Sequence, residues 1–389
     1  MTGPHARSAI VIAARRTPVG RVRGALGRLQ VDALAAPVLK AVLSDAGLAA
    51  DAIDDVILGN AAGPGGNPAR LSALAAGFPV SVPGMTVDRQ CGSGLEAIAT
   101  AARLIEAGAG EVYLAGGVES CSTAPLRYAV PDQDGVPPKP YTRARFAPDF
   151  VGDPDMGEAA ENVARKYGIT RARQDAFALR SHRKATAAQG NGRFAAEIVP
   201  LAGADGELRT DECPRADTSL EKLAALQPVF AAEGTVTAGN ACPMNDGAAA
   251  VALVSYARFQ KMGLRDGLWI VDSAVAGVDP NYLGIGPVPA VQKLLARTKC
   301  SIADIDMVEF NEAFAAQVLA CLDQLDVMED QVNRGGGAIA LGHPYGASGA
   351  ILMTRLFTDM VRRDEGSHGL ATLGIGGGMG LAVSARRLG

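Results

Sequence analysis

Cys91 and His343 are the two side chains of this sequence best placed for nucleophilic chemistry. Cys91 stands in VDRQCGSGLEAIATAA and His343 in GGGAIALGHPYGASGA, each just before a segment with helical periodicity. Unpaired N–H groups at a helix start favour a thiolate, and a histidine base is a standard way to prepare one. A buried structural cysteine and a structural histidine are the alternative interpretations.

Two further segments could bind a developing negative charge. Asn311 ends the strand-like run VEFN, where its side chain could hold a water or a substrate carbonyl. The glycine-rich turn ATLGIGGGMG, residues 371–380, follows another apolar run. Its backbone N–H groups, that of Gly376 included, could approach a substrate oxygen closely.

The elements that position these residues form a repeated α/β pattern. The segment LKAVLSDAGLAADAIDDVILGN, 39–60, resembles VQKLLARTKCSIADIDMVEFNE, 291–312. The helix-like segment after Cys91 likewise has a counterpart after His343, and an apolar strand follows each. This self-similarity predicts two copies of one α/β unit with a different segment between them. If the copies pack about a pseudo-twofold axis, Cys91 and His343 face each other.

Composition narrows the classes of function. The 389 residues carry a formal net charge of -4, which leaves no basic surface for nucleic acid. The six cysteines form no CxxC pair, and we expect neither a metal nor a resident cofactor. A secretory signal and an apolar stretch long enough for a membrane are not recognisable, so we expect a cytoplasmic enzyme.

Eight segments resemble the thiolase family, in order and nearly end to end. They are DRQCGSGLEAI, AGGVESCSTAP, MGEAAENVA, GTVTAGNACPMNDGAAA, GIGPVPA, NEAFAAQ, GGAIALGHPYGASGA and GLATLGIGGGMG. The resemblance implies a five-layered αβαβα fold made of two similar halves with an inserted loop domain. We place the first part of the N-terminal half at 1–118, the loop domain and the return to that half at 119–250, and the C-terminal half at 251–389. It also implies a coenzyme A thioester as substrate.

The resemblance assigns roles to particular residues. Cys91 takes the acyl group, His343 activates it, and Asn311 holds the water that completes an oxyanion hole. The family's second catalytic cysteine, which moves a proton on the Cα of a second acyl-CoA, corresponds to Gly374. The positions implied to bind substrate are Met156, Ala238, Cys242, Leu283, Ala313, Phe314 and Gly376.

Gly374 divides the predicted reaction into two halves. Acylation of Cys91 needs no side chain at residue 374, whereas 3-ketoacyl-CoA thiolysis and Claisen condensation need a base worth about 10²- to 10⁴-fold in rate. We therefore predict an acyltransferase whose proton transfer is impaired or rerouted. Glycine should also leave a small space that water could enter, which would favour hydrolysis of the acyl-enzyme.

Four hypotheses account for the glycine. In the first, the chain is a working thiolase in which another group, with Cys242 as a candidate, moves the proton. In the second, the glycine is an introduced substitution that traps an intermediate. In the third, the reaction needs no such base, as in decarboxylative condensation or acyl transfer to an oxygen, nitrogen or sulfur nucleophile. In the fourth, the chain is a non-catalytic acyl-CoA-binding protein, although such a protein would have no use for the intact set of Cys91, His343 and Asn311.

Other departures from the family pattern concern the substrate and the assembly. Tyr345 is bulkier than the isoleucine usual after GHP, which predicts a reshaped acyl pocket. Ala225 and Gln227 stand where the family often has Lys or Arg near the CoA phosphates, which admits a carrier-protein thioester as an alternative donor. The excursion around 127–150 is unlike the family's tetramer-forming loop. It favours a homodimer, with a homotetramer as the alternative.

Overall fold

The computed structural model describes residues 3–131, 133–204 and 206–389. Its strands are β1 (Ala9–Arg16), β2 (Gly20–Arg21), β3 (Asp55–Gly59), β4 (Gly84–Val87), β5 (Val112–Ser120), β6 (Arg127–Ala129), β7 (Lys139–Tyr141), β8 (Leu201–Gly203), β9 (Gly206–Leu208), β10 (Asn245–Ser255), β11 (Gly267–Gly277), β12 (Met307–Phe310), β13 (His368–Ile375) and β14 (Met379–Leu388). Its α-helices are α1 (Val31–Asp45), α2 (Pro68–Ala75), α3 (Ser93–Ala107), α4 (Met156–Tyr167), α5 (Arg171–Gly190), α6 (Leu220–Ala224), α7 (Tyr256–Lys261), α8 (Pro287–Thr298), α9 (Ala315–Leu325), α10 (Ala338–Leu341) and α11 (Tyr345–Phe357).

The main sheet contains the repeat that the sequence predicts. Its strand order is β4-β3-β5-β10-β1-β11-β14-β13-β12. In the first half, β3 and β5 are parallel and β10 is antiparallel to both β5 and β1. In the second half, β12 and β13 are parallel and β14 is antiparallel to both β13 and β11. The halves meet where β1 pairs with β11.

Helices cover the outer faces of both halves and also fill the space between them. One buried cluster surrounds α3 and α11, with Leu95 and Met353 among its members, and receives strands from both halves. A second cluster packs α1 and α2 on the first half. A third packs α8 and α9 on the second half. The predicted order αβαβα is therefore confirmed.

Small residues let α3 and α11 approach closely at the centre. A Cβ added to Gly94 would lie 2.5 Å from the Gly346 carbonyl oxygen, and one added to Gly117 would lie 1.9 Å from the same atom. A Cβ on Gly349 would lie 2.5 Å from the Leu95 nitrogen. Side chains at Gly94 and Gly349 would force the two helices apart, and one at Gly117 of β5 would push α11 away from the sheet. Cys91 and His343 lie just before the starts of the two helices.

Residues 121–244 connect β5 to its neighbour β10, and their described part contains three helices, α4 to α6, and two short hairpins. The hairpin β6–β7 carries mostly exposed residues. Helices α4 and α5 pack against the second half, where Val163 and Phe177 join its buried cluster. Within the described ranges, no helix is long and apolar enough to cross a membrane.

Candidate active site

Cys91 lies in a turn that local hydrogen bonds hold rigid. The Ser93 Oγ donates to the Gln90 carbonyl oxygen at 2.5 Å and accepts from the Arg89 nitrogen at 2.9 Å. Gln90 has a φ of 47°, a left-handed conformation that is unusual for a residue with a Cβ. A polypeptide held this way at the start of α3 gives the thiol a fixed direction.

Cys91 is half-buried, and its thiol accepts a hydrogen bond from the Gly376 backbone N–H. Burial raises the pKa of this thiol to about 12, and the Glu119 carboxylate acts in the same direction. The thiol is therefore neutral at pH 7 until a base removes its proton. The loop of Gly376 reaches Cys91 because Gly92 has no side chain: a Cβ there would lie 2.6 Å from the Ile375 Cδ1.

His343 is 2% exposed, and its two ring nitrogens have different surroundings. Nδ1 lies 2.5 Å from the Ser348 Oγ, whereas the buried Nε2 has no hydrogen-bond partner among the described residues. Burial lowers the imidazole pKa to about 4, so the ring is neutral at pH 7. A neutral imidazole with a free Nε2 can accept a proton from a thiol or donate one to an oxyanion.

Glu119 joins the loops of the two halves. Its buried carboxylate accepts N–H groups of Ala61 and Ala62 from the first half and of Gly346 from the second. The Asn60 amide donates to it as well. Burial raises the carboxyl pKa despite these donors. A break in this junction would shift the start of α11 relative to that of α3.

Asn311 stands directly after β12, with its backbone N–H bonded to the Thr372 carbonyl oxygen of β13. Its buried Nδ2 has no partner among the described residues, so it can donate to a water or a ligand. The next loop pairs with the segment around Cys242: the Cys242 nitrogen donates to the Ala313 carbonyl oxygen at 2.9 Å. A β-bridge between Ala241 and Phe314 extends this contact.

Gly374 lies near the end of β13, opposite Gly380 of β14. A Cβ added at residue 374 would lie 2.4 Å from the Gln317 Nε2 and 3.4 Å from its Cδ. The expectation of an empty space there is wrong, because the Gln317 carboxamide occupies it. Gln317 belongs to α9 and is 2% exposed.

A cavity of about 390 Å³ opens over Cys91. This volume falls in the range of small-molecule pockets. Its wall includes the uncharged residues Met156, Cys121, Tyr345 and Gly376 and the charged residues Asp88, Arg127 and Arg143. Of the charged groups, Arg143 is paired with Asp153 at 2.9 Å and with Asp155 at 3.1 Å.

The predicted site residues fall into three groups by position. Cys91, Met156 and Gly376 line the cavity. His343, Asn311 and Gly374 are buried outside the lining, where His343 packs against the lining residue Tyr345. The remaining predicted substrate positions are outside the lining: Cys242, Ala313 and Phe314 in the paired loops, Leu283 buried in the turn Pro280–Ile285, and Ala238 exposed.

Three residues that the sequence did not single out also belong to this region. Ser348 holds His343, Gln317 fills the position beside Gly374, and Cys121 lines the cavity with Cys91. The position of Cys121 just after β5 gave a signal, because loops at the carboxyl ends of strands often carry function. Ser348 and Gln317 gave none, because both stand on helix faces that the pattern predicts as core.

Tyr345 stands among the thiols of the site. Its ring packs edge-on against His343 with centroids 5.2 Å apart. Burial raises the phenol pKa, and Cys121, Cys91 and Cys242 add to the effect in that order. Burial also raises the pKa of Cys121 and of Cys242. None of these groups is thus prepared as a base at neutral pH.

Comparisons with known proteins agree on one family. Residues 9–257 match the thiolase N-terminal domain and residues 268–387 the thiolase C-terminal domain. VraB of Staphylococcus epidermidis, named provisionally as an acetyl-CoA C-acetyltransferase, is 45% identical over 380 residues, 97% of this chain and 98% of VraB. YhfS of Bacillus subtilis, with the same provisional name, is 45% identical over 378 residues, 97% of this chain and 98% of YhfS. The crystal structure of Bacillus anthracis acetyl-CoA acetyltransferase is similar with a TM-score of 0.89 and 40% identity, covering 98% of this chain and 99% of that one.

Proposed function

Because the chain belongs to the thiolase family and is an acyltransferase, we propose that it forms an acyl-thioester on Cys91 from an acyl-CoA and passes the acyl group to an acceptor without a base at residue 374. The free Nε2 of His343 supports this proposal most directly. It stands in a buried site where the other ring nitrogen is already held by Ser348.

Acylation follows from the neutral pair of Cys91 and His343. As the thioester carbonyl approaches, His343 Nε2 takes the thiol proton and the sulfur attacks the carbonyl carbon. Water held by the Asn311 Nδ2 and the N–H of Gly376 are available to stabilise the oxyanion. His343 then gives the proton to the leaving thiol, which departs as CoA.

Transfer of the acyl group is where this chain differs from its family's reaction. Gly374 has no titratable group, and the amide of Gln317 that fills its place does not titrate in the ordinary pH range. We therefore infer that the acceptor is a nucleophile that needs no Cα deprotonation: an oxygen, nitrogen or sulfur nucleophile, or a carbanion formed by decarboxylation. A carrier-protein thioester is the alternative donor, since Ala225 and Gln227 supply no cation for the CoA phosphates.

An alternative within the same family is ordinary thiolysis with a different thiol as base. Cys121 shares the cavity with Cys91, and Cys242 lies close enough to Cys91 for electrostatic coupling. Burial raises the pKa of both thiols and so opposes this role.

Intact-protein mass spectrometry after incubation with acetyl-CoA tests acylation. The expected result is one acetyl adduct that is absent from Cys91→Ala, and its absence from the parent protein would refute the proposal. Thiolysis of acetoacetyl-CoA by the parent and by Gly374→Cys then tests the second half. We expect Gly374→Cys to be faster by about 10²-fold or more, and equal rates would refute the part given to residue 374.

The proposal includes a homodimer in the cytoplasm. Strand β4 forms the outer edge of the first half's sheet. Near it lie the exposed apolar side chains of Leu71, Leu74, Val80 and Met85. Exposed apolar surface beside a sheet edge is typical of an interface, and the molar mass by light scattering checks the stoichiometry.

A further inference from the structure

Gln317 is the side chain that takes the place of the missing one at residue 374. Its Nε2 lies 2.4 Å from the point where a Cβ of residue 374 would stand. On its other side, a Cβ added to Gly284 would lie 2.8 Å from the Gln317 Cγ. The carboxamide therefore reaches residue 374 between two glycines, and its position depends on both of them lacking a side chain.

The amide of Gln317 has no hydrogen-bond partner among the described residues, although the residue is 2% exposed. Neither amide atom is among the fully buried side-chain atoms that lack a partner, so the small exposed part of the residue includes its amide. Buried polar groups of this kind are normally satisfied by a water or a ligand. The amide of Gln317 is thus able to donate one hydrogen bond and accept another from a polar group.

The amide lies beside the reacting groups. Thr372, two residues before Gly374 on β13, accepts the Asn311 N–H, and Gly376, two residues after it, donates to the Cys91 thiol. Residue 374 is therefore flanked along one strand by the partner of Asn311 and the partner of Cys91. A group bound to Gln317 would therefore lie beside the segment that connects these two partners.

We propose that Gln317 binds the acyl acceptor, and that it does so for a neutral nucleophile with at least two hydrogens, such as an amine or water. This inference rests on the proposed acylation of Cys91. The Oε1 accepts one hydrogen of the nucleophile, and a second hydrogen remains for transfer. Where the acceptor carries a further oxygen, Nε2 donates to it, so the amide orients the nucleophile and does not remove its proton.

The transfer is balanced without a further reactant. The nucleophile's oxygen or nitrogen attacks the acyl carbon, its bond to that carbon forms, and the carbon–sulfur bond to Cys91 breaks. The proton of the nucleophile passes to His343 Nε2 and from there to the departing Cys91 sulfur. The products are the acylated acceptor and the free thiol of Cys91.

Single-turnover transfer from acetylated protein tests this role. The acetylated parent, Gln317→Leu and the matched control Gln324→Leu, an exposed residue of the same helix, are freed of acetyl-CoA and mixed with hydroxylamine or with CoA. We expect Gln317→Leu to lose its adduct to hydroxylamine about tenfold more slowly, the loss of one hydrogen bond. Its loss to CoA should be unchanged, because CoA returns by the path of acylation.

The outcomes separate this inference from the proposed function. No adduct on the parent protein would refute the acylation of Cys91 itself. A normal adduct with an unchanged hydroxylamine rate in Gln317→Leu would overturn only the role of Gln317. Equal slowing with hydroxylamine and CoA would also overturn it, since that pattern is expected of a merely structural residue.

A second variant checks the position of the amide independently. Gln317→Glu keeps the shape of the side chain and introduces a base at the same point. We expect it to catalyse the exchange of the acetyl-CoA methyl hydrogens with D2O, measured by mass spectrometry, which neither the parent nor Gln324→Glu should do. Exchange no faster than in Gln324→Glu would place residue 317 away from the acceptor and refute the proposal.

Discussion

The Ser348 Oγ lies 2.5 Å from the His343 Nδ1, and this contact decides which ring nitrogen is free. Ser348 is on the first turn of α11, five residues after the histidine. With Nδ1 held, Nε2 is left without a partner in a buried setting. A hydrogen bond to one ring nitrogen holds the orientation of a histidine, so the Ser348 contact directs Nε2 into the site.

Ser348→Ala should therefore slow the acylation of Cys91 by about tenfold or more. The fold should remain, because the side chain loses only a hydroxyl. Thr354→Val is a suitable control, since it removes another buried hydroxyl of α11 that bonds only to the Ala350 carbonyl oxygen. Mass spectrometry of reactions quenched at set times measures the acetylation rates of both variants, and equal rates would contradict the role of Ser348.

The pH dependence of Cys91 labelling should reflect the raised pKa of its thiol. Burial raises this pKa to about 12, so the thiolate fraction increases with every pH unit below that value. Alkylation of Cys91 by iodoacetamide should rise about tenfold per unit from about pH 7 to about pH 10. Labelling of Cys91→Ala is subtracted as background, and a plateau near the usual thiol pKa of about 8.5 would contradict the prediction.

Tyr345 should limit the length of the acyl chain. Its ring lines the cavity over Cys91 and packs against His343. In Tyr345→Ala the freed space should favour longer acyl-CoAs by about fourfold per methylene group accommodated. Acylation rates with acetyl-, butyryl- and hexanoyl-CoA measure the preference, and Tyr345→Phe should leave it unchanged. The same chain-length profile in Tyr345→Ala as in the parent would show that the ring sets no limit.

The buried pair of Arg355 and Glu309 should be costly to break. Their Nε and Oε2 atoms lie 2.8 Å apart, and the side chains are 3% and 4% exposed. Arg355→Met leaves the Glu309 carboxylate unpaired and should lower the free energy of unfolding by about 3–5 kcal/mol. Urea unfolding measures this, and Arg355→Met/Glu309→Leu should recover a large part of the loss.

The loss of folding stability in Arg355→Met should also depend on pH. Burial already raises the pKa of Glu309 to about 7 in the presence of Arg355, and removal of the cation raises it further. A carboxyl whose folded pKa exceeds its unfolded one stabilises the fold as pH falls through the folded pKa. The variant should thus be relatively more stable near about pH 6 than near about pH 8, and the opposite order would contradict an unpaired Glu309.

The sequence alone determined the family, the layered fold and the repeat. The spacing of apolar residues fixed which faces of β1, α3 and α11 are buried, and the repeated segments indicated two equivalent halves. The loops of Cys91, His343 and Asn311 could be identified because each follows or precedes such an element. Comparison with the family motif also identified Gly374 as the position that lacks the usual cysteine side chain.

Only the tertiary structure decided what surrounds these residues. Gln317 and Gly374 are far apart in the chain, and their contact follows from how α9 packs on β13, which no local pattern encodes. The same is true of Glu119, whose carboxylate gathers N–H groups from both halves. Local periodicity reports which face of an element is buried, but the partner that meets it depends on packing between distant segments. The space that the sequence predicts beside Gly374 of β13 is therefore occupied by the Gln317 side chain of α9.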